Sequence, residues 1–355
     1  MSPASTLEGG PGRATTVGVI AAVAAWAHGR NPYGMSRAAW FAFGPTLHIQ
    51  RFVWPYRYPP YTAALLRPFI SFGEPAVRIA WQSASVASML AAAWLTARAL
   101  GGRWRYAVAL LLLFVFAPAY DTLLVGQING FLVLSLALAL WAIVRRRDAV
   151  LGVSLAVGTV LKLVPAALFV YFLARRRWRA SVWFVIGLAV LTLVALPLVG
   201  GQAFIGYGSW AVDLVRPQLV TNGPMNVTFV GALRRLFRHD LGLARTLGRL
   251  LGAAALLATV VVCWPRRDRP PDDLLAFSMI VTLLGLLGVL VAAADGTWIL
   301  INPAWWLGFH PPSVYYAIWF PTLLCAALWA ICGLERWRES HSREPERRPE
   351  LSPGK

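Results

Sequence analysis

The stretch Arg145-Arg146-Arg147-Asp148-Ala149-Val150-Leu151-Gly152-Val153-Ser154-Leu155-Ala156-Val157-Gly158-Thr159-Val160-Leu161-Lys162-Leu163-Val164-Pro165-Ala166-Ala167-Leu168-Phe169-Val170-Tyr171-Phe172-Leu173-Ala174-Arg175-Arg176-Arg177 decides how this chain is read. Between the two arginine triplets lie 26 mostly apolar residues, 149–174, enough to cross about 30 Å of hydrocarbon. One continuous helix would put the triplets on opposite faces of a membrane. Clusters of Lys and Arg, however, mark the cytoplasmic side. Two short helices meeting near Lys162 and Pro165 return the chain to the side it left. The expectation is a broken, re-entrant helix pair near 149–174. Non-helical backbone at that depth survives only where protein or a water-filled cavity covers it, so the break should border a cavity.

The rest of the chain agrees with a membrane setting. Of 355 residues, 58% are hydrophobic and 14% charged, with 17 Trp and a mean hydropathy of +0.60. Soluble domains have roughly 45–50% apolar and about 25% charged residues. Long apolar runs recur at Ala107–Ala117, Gly130–Val144, Ser181–Val199, Leu250–Trp264 and Leu274–Ala294. A soluble enzyme, a disulfide scaffold and a disordered chain are excluded. What remains is a multi-pass protein of the cell membrane, in contact with membrane lipids. The net charge of +18 comes from 33 Lys and Arg, most of them in clusters at Arg98–Arg105, Arg145–Arg147, Arg175–Arg179, Arg266–Arg269 and Arg336–Arg348. That is topological signalling, and nucleic acid is not an expected partner. Cys263, Cys325 and Cys332 lie in or beside apolar runs without metal-ligand spacing. Met1–Arg13 is polar and does not read as a signal peptide. A polar tail (1–13), one membrane domain (14–334) and a charged cytoplasmic tail (335–355) are expected.

With the basic clusters inside, Gly29–Glu74, Tyr120–Gln127, Gly200–Pro224 and Asp295–Ser313 face outward. They hold the Trp, Tyr, Pro, Gly, Asn and His residues that apolar helices avoid. In Arg57-Tyr58-Pro59-Pro60-Tyr61 the prolines suit the first turn of a short helix. Arg57 and Tyr58 there suit either a lipid phosphate or a simple interfacial anchor. Asp121-Thr122-Leu123-Leu124-Val125-Gly126-Gln127-Ile128-Asn129-Gly130 opens an apolar helix with a carboxylate and two amides. Helix capping and interhelical bonding explain that run, and so does a polar cavity lining. Lys162, inside an apolar stretch, reads as functional because an ionisable group in a membrane is costly, with snorkelling to the interface as the plain alternative. Asn226-Val227-Thr228 and Arg234 follow the third outer stretch, in a short amphipathic segment. His310 lies beyond Trp305-Trp306 in the last outer stretch, where an interfacial tryptophan belt and a sugar-stacking surface look alike.

Taken together, Gly29-Arg30-Asn31-Pro32-Tyr33, Tyr58-Pro59-Pro60, Gly126-Gln127-Ile128-Asn129, Leu161-Lys162-Leu163-Val164-Pro165 with Arg175–Trp178, and Asn226-Val227-Thr228 through Gly231 and Arg234 resemble a known family. It is glycosyltransferase family 87, the polyprenyl-phosphate-mannose-dependent mannosyltransferases of the GT-C group. The motifs stand in the family's order across about 30–240. The resemblance implies an all-α GT-C membrane fold with about eight or nine membrane segments and interfacial helices. It also implies transfer of a hexose, mannose, from a polyprenyl-phosphate donor to a lipid-linked or glycan acceptor on the outer face. No nucleotide-sugar site, metal or other cofactor is implied. Arg57 and Lys162 would then bind the donor phosphate, while Gln127, Asn129 and Asn226 shape the sugar pocket. Tyr58, Thr228 and Arg234 would join them in substrate binding, and Asp121 or His310 would handle the proton.

Two departures bear on this reading. The family's first outer loop carries an aspartate, regarded as the base, about fourteen residues before the Gly of the Gly-x-x-Pro-Tyr motif. That spacing lands on Thr15 here, and Glu8 is the only acidic residue before Glu74. Thr16–Ala27 is also too short for a first membrane helix and reads as interfacial. The late region has Trp305-Trp306 and a single His310 where relatives carry a Trp and paired His. Three explanations stay open: a start downstream of the natural one, a divergent transferase using another carboxylate such as Asp121, or a non-catalytic relative that binds a polyprenyl lipid. A lipid-linked sugar flippase or transporter is the alternative class.

Overall fold

The structure, a computed structural model, describes residues 28–35, 58–100, 126–163, 165–214, 240–264 and 273–286, together with positions 19, 22–26, 56, 122, 123, 229, 230, 233, 237, 330, 334 and 338. It is all helical, with no strand among the described residues. The chain divides into two compact units, residues 1–226 with 292–317 and residues 227–291 with 318–355.

In the first unit a 3-10 turn at Pro32–Gly34 precedes α1 (Pro60–Leu66), which runs through a second 3-10 segment (Arg67–Phe72) into α2 (Glu74–Leu100). Then come α3 (Asn129–Val144), α4 (Asp148–Leu161), α5 (Ala166–Ala174), α6 (Trp178–Val199) and α7 (Gly201–Leu214). The apolar stretch between the arginine triplets is therefore two helices, α4 and α5, separated at Lys162–Pro165. Arg177, at the start of α6, is ion-paired with Asp148, at the start of α4. Both triplets therefore lie at one end of the unit.

Glycines set the helix packing. A Cβ on Gly152 of α4 would strike the carbonyl of Ala180 and lie 2.7 Å from the Phe184 nitrogen, while Gly187 lies against Ala156 and Val153. Contact therefore climbs both helices together, and α4 and α6 run parallel. Ser135 Oγ of α3 donates to the Ser154 carbonyl of α4 at 2.7 Å, fixing the adjacent antiparallel pair. Close approach through small residues is how helices pack where lipid offers no hydrophobic drive between them. Phe169 of α5 stacks on Phe184 of α6, ring centres 4.0 Å apart, as α5 descends beside α6.

The two triplets make the same turn. Arg147 N–H donates to the Ala142 carbonyl and Arg146 N–H to that of Ile143; Arg177 and Arg176 bond in the same way to Phe172 and Leu173. Each is a Schellman closure, which needs a left-handed residue just past the helix. Glycine takes that place at Gly29 (φ 70°) and Gly126 (φ 71°), at the opposite end, but arginine takes it at Arg146 (φ 52°) and Arg176 (φ 56°). A left-handed Cβ costs roughly 1–2 kcal/mol, and the two arginines bear that cost at the same end of the unit. Arg146→Gly and Arg176→Gly are each expected to stabilise the folded protein by about 1 kcal/mol. Unfolding in mild detergent would show this as a raised midpoint.

The core cluster of this unit joins Val19, Val23, Tyr56, Ala63, Trp81, Ile128, Leu161 and Ala195. The described part of the expected interfacial segment at 16–27 thus packs into the core. In the second unit α8 (Leu241–Cys263) is capped by Asp240, whose carboxylate accepts from Leu243 N–H at 2.8 Å, and α9 (Asp273–Leu286) packs against it. Cys263 is buried there. The helices α6, with 22 residues, and α8, with 23, are long and apolar enough to cross a membrane. Much of α6 faces away from the protein, Leu193 being 70% exposed. The larger number of spans expected from sequence draws on residues outside those described.

Candidate functional site

At the end of the first unit opposite the triplets, polar side chains gather around the break between α4 and α5. The segment before α3 closes a helical turn, with Gln127 N–H donating to the Thr122 carbonyl at 2.8 Å and Gly126 N–H to that of Leu123. Gly126 is left-handed, as this closure requires. From α2, Trp81 Nε1 donates to the Gly126 carbonyl at 3.0 Å and Gln82 Nε2 to that of Leu123 at 3.2 Å. The turn is thereby held from two sides, and it aims Thr122, Gln127 and Asn129 at one another. The Asn129 amide donates to Gln127 Oε1 and to Thr122 Oγ1.

Lys162 completes this group. It follows the last residue of α4 in extended backbone, φ −156° and ψ 127°, and its Nζ donates to Asn129 Oδ1 at 3.4 Å. Leu161 and Ile128, beside these polar residues, belong to the core cluster, so the cation is fixed by packing beneath it. Pro165 is the N-cap of α5. Its ring lies 2.8 Å from where a Cβ on Gly158 would be, and Ser135 Oγ closes in from α3 on the same glycine. An ammonium beside three neutral hydrogen-bonding groups can hold an anion or a hydroxyl-rich ligand.

An aromatic group forms the neighbouring part. Tyr33 lies with its ring centre 5.4 Å from Tyr56, 5.5 Å from Tyr207, 5.8 Å from Trp26 and 5.9 Å from Trp210. Its hydroxyl donates to the Tyr58 carbonyl at 2.7 Å, and Tyr56 donates to that of Pro59. Gly206 of α7 allows this closure, since a Cβ there would meet the Asn31 side chain at 2.6 Å. Burial pushes the phenols of Tyr33 and Tyr56 well up from their ordinary value and that of Tyr207 up to about 12. These tyrosines stay protonated at neutral pH and serve as donors and ring faces, not as bases.

Of the expected site residues, Gln127, Asn129 and Lys162 are brought together, and Tyr58 is held by Tyr33 in the aromatic group. Arg57, Asp121, Asn226, Thr228, Arg234 and His310 lie outside the described residues. Trp26, Tyr56, Tyr207 and Trp210 were not singled out by sequence. The density of aromatics in the outer stretches is the one signal for Tyr56, Tyr207 and Trp210, and Trp26, which precedes them, has none.

A long apolar groove meets the polar group. Leu65, Phe131, Leu134, Val153, Val157 and Leu161 are among its walls, and it encloses about 480 Å³. It follows α4 from Ala149 to Leu161, roughly 18 Å at 1.5 Å per residue. Two of its wall residues, Phe131 and Leu161, stand two positions from Asn129 and one from Lys162 in the chain.

The described residues thus combine helix packing through small residues with a lysine next in sequence to the wall of an apolar groove. The sequence profile of glycosyltransferase family 87 matches residues 56–293, and the chain belongs to that family. It is similar to the polyprenol-phosphate-mannose-dependent alpha-(1-2)-phosphatidylinositol pentamannoside mannosyltransferase of Mycobacterium tuberculosis (strain CDC 1551 / Oshkosh), with 28% identity over 66% of this chain and 53% of the relative. The protein of the same name from Mycolicibacterium smegmatis is 28% identical over 65% of this chain and 56% of its own. A polyprenol-phosphate-mannose-dependent alpha-(1-2)-phosphatidylinositol mannoside mannosyltransferase of Mycobacterium tuberculosis (strain ATCC 25618 / H37Rv) is 27% identical over 79% of this chain and 66% of its own. The chain thus spans about half the length of the first two relatives. No solved structure matches it.

Proposed function

We propose that this protein transfers a hexose, mannose, from a polyprenyl-phosphate donor to a lipid-linked or glycan acceptor at the outer face of the cell membrane. The observation that carries the reading is Lys162 bonded to Asn129 and next in sequence to Leu161, a wall residue of the apolar groove. A phosphate at the ammonium would leave its isoprenoid tail in the groove. Family membership and the donor named for the relatives support the same chemistry.

In this reading the chain is one multi-pass domain with about eight or nine membrane segments, and α4 and α5 are its re-entrant pair. The acceptor hydroxyl oxygen forms a bond to C1 of the sugar as the bond from C1 to the phosphate oxygen breaks. Polyprenyl phosphate leaves, and the hydroxyl proton passes to Asp121 or His310. Lys162 and Arg57 stabilise the charge growing on the leaving phosphate. Gln127, Asn129 and Asn226 orient the sugar, with Tyr58, Thr228 and Arg234 lining the substrates. Asp121→Asn should lower turnover about a hundredfold or more if Asp121 is the base. Unchanged turnover would transfer that role to His310.

The groove is testable separately. Val153→Trp fills it from a partly exposed position and should raise the donor KM about tenfold while sparing kcat, as a removed ground-state contact does. A photoreactive polyprenyl phosphate should label peptides of α3 and α4, and unlabelled donor should suppress that labelling. Labelling spread evenly over the helices, with KM unchanged in the variant, would overturn the groove's assignment.

A further inference from the structure

A second cavity lies at the opposite end of the same unit. About 540 Å³ in volume, it is walled by Trp94, Leu95 and Arg98 of α2, Leu138 and Trp141 of α3, and Arg145 and Arg147 of the following turn. The Arg98 guanidinium sits over the Trp94 ring, 5.1 Å from its centre. The nearby carboxylate of Asp148 is committed to Arg177. Among the described residues no carboxylate pairs with Arg98, Arg145 or Arg147. The backbone N–H groups of Arg145 and Arg147 already donate to α3 carbonyls, so the turn does not depend on these guanidiniums. The first turn of α4 has no side-chain cap at Arg147 and adds its positive dipole end to the same place.

We propose that this cavity binds the phosphate headgroup of an anionic phospholipid from the cytoplasmic leaflet. Three guanidinium forks offer phosphate oxygens charge-assisted hydrogen bonds. The two indoles have the amphipathic character of headgroup-level anchors, and Leu95 and Leu138 receive the first carbons of the acyl chains. Basic pockets between membrane helices on the cytoplasmic side suit such headgroups. The site lies at the opposite end from Lys162 and goes beyond the transferase reading. It rests only on the membrane orientation given by the basic clusters.

The test uses the full chain in nanodiscs with equal parts phosphatidylglycerol and phosphatidylcholine, followed by native mass spectrometry of the lipids it retains. The wild type should keep phosphatidylglycerol selectively. Arg98→Gln and Arg147→Gln should each lower that retention about fivefold, the effect of one basic residue at a membrane surface. Arg146→Gln removes the same charge from the same turn but lies outside the cavity walls, and should behave as wild type. Equal retention of the two lipids, or equal losses in all three variants, would overturn the proposal, the latter showing diffuse surface charge. Removal of the lipid by soluble glycerophosphate would assign the cavity to a free phosphate instead. Mannose transfer measured on the same samples separates a failure here from a failure of the transferase reading.

Discussion

Replacing Lys162 with alanine is expected to lower mannose transfer by about two to three orders of magnitude, the usual effect of removing a charge-stabilising group from a reacting centre. The geometry gives the reason. Lys162 is fixed in extended backbone after α4, and its Nζ reaches Asn129. Solvent cannot readily replace an ammonium placed beside core residues. The loss should fall mainly on kcat, because in the proposed reaction the phosphate gains charge as it leaves. Lys162→Gln keeps a hydrogen-bond donor for Asn129 without the charge. If it is as impaired as the alanine variant, charge is what matters. Full activity in Lys162→Gln would reduce Lys162 to a structural partner of Asn129.

The second large effect is structural. Gly152→Ala should destabilise the protein by about 2–3 kcal/mol or force α4 and α6 apart, because the added methyl meets backbone at Ala180 and Phe184. A flexible side chain could move aside; a helix backbone cannot. Since α4 carries Lys162 at its far end, residual activity should fall together with stability. Gly208→Ala in α7, where nothing lies within 4 Å, should instead be neutral or gain up to about 1 kcal/mol from helix propensity. Thermal unfolding of the two variants in the same detergent compares them directly. Equal midpoints would show that α4 and α6 are not packed through Gly152.

Parts of this arrangement are legible in the sequence for physical reasons. Like-signed triplets at both ends of one apolar stretch disfavour a single crossing, and Pro165 favours a break, so the division into α4 and α5 is readable from charge and proline. The run from Thr122 to Asn129 is readable because amides and glycines are costly in a membrane helix without partners. Other features depend on contacts between residues remote in sequence. Nothing local distinguishes Gly152, which lets α6 approach, from Gly208, which meets nothing. Tyr33 meets Tyr207 and Trp210 across more than 170 positions, so no periodicity could join them. The left-handed backbone of Arg146 and Arg176 runs against propensity, so no local preference could announce it. Sequence also named Arg57, Asp121, Asn226, Thr228, Arg234 and His310, whose roles rest on the family pattern and the proposed chemistry.

The most direct test supplies membranes expressing this chain with radiolabelled polyprenyl-phosphate mannose and a crude acceptor lipid extract. A labelled product absent from control membranes and reduced at least a hundredfold by Lys162→Ala is the predicted result. Absence of product, with the protein shown to be folded and inserted, would contradict the account.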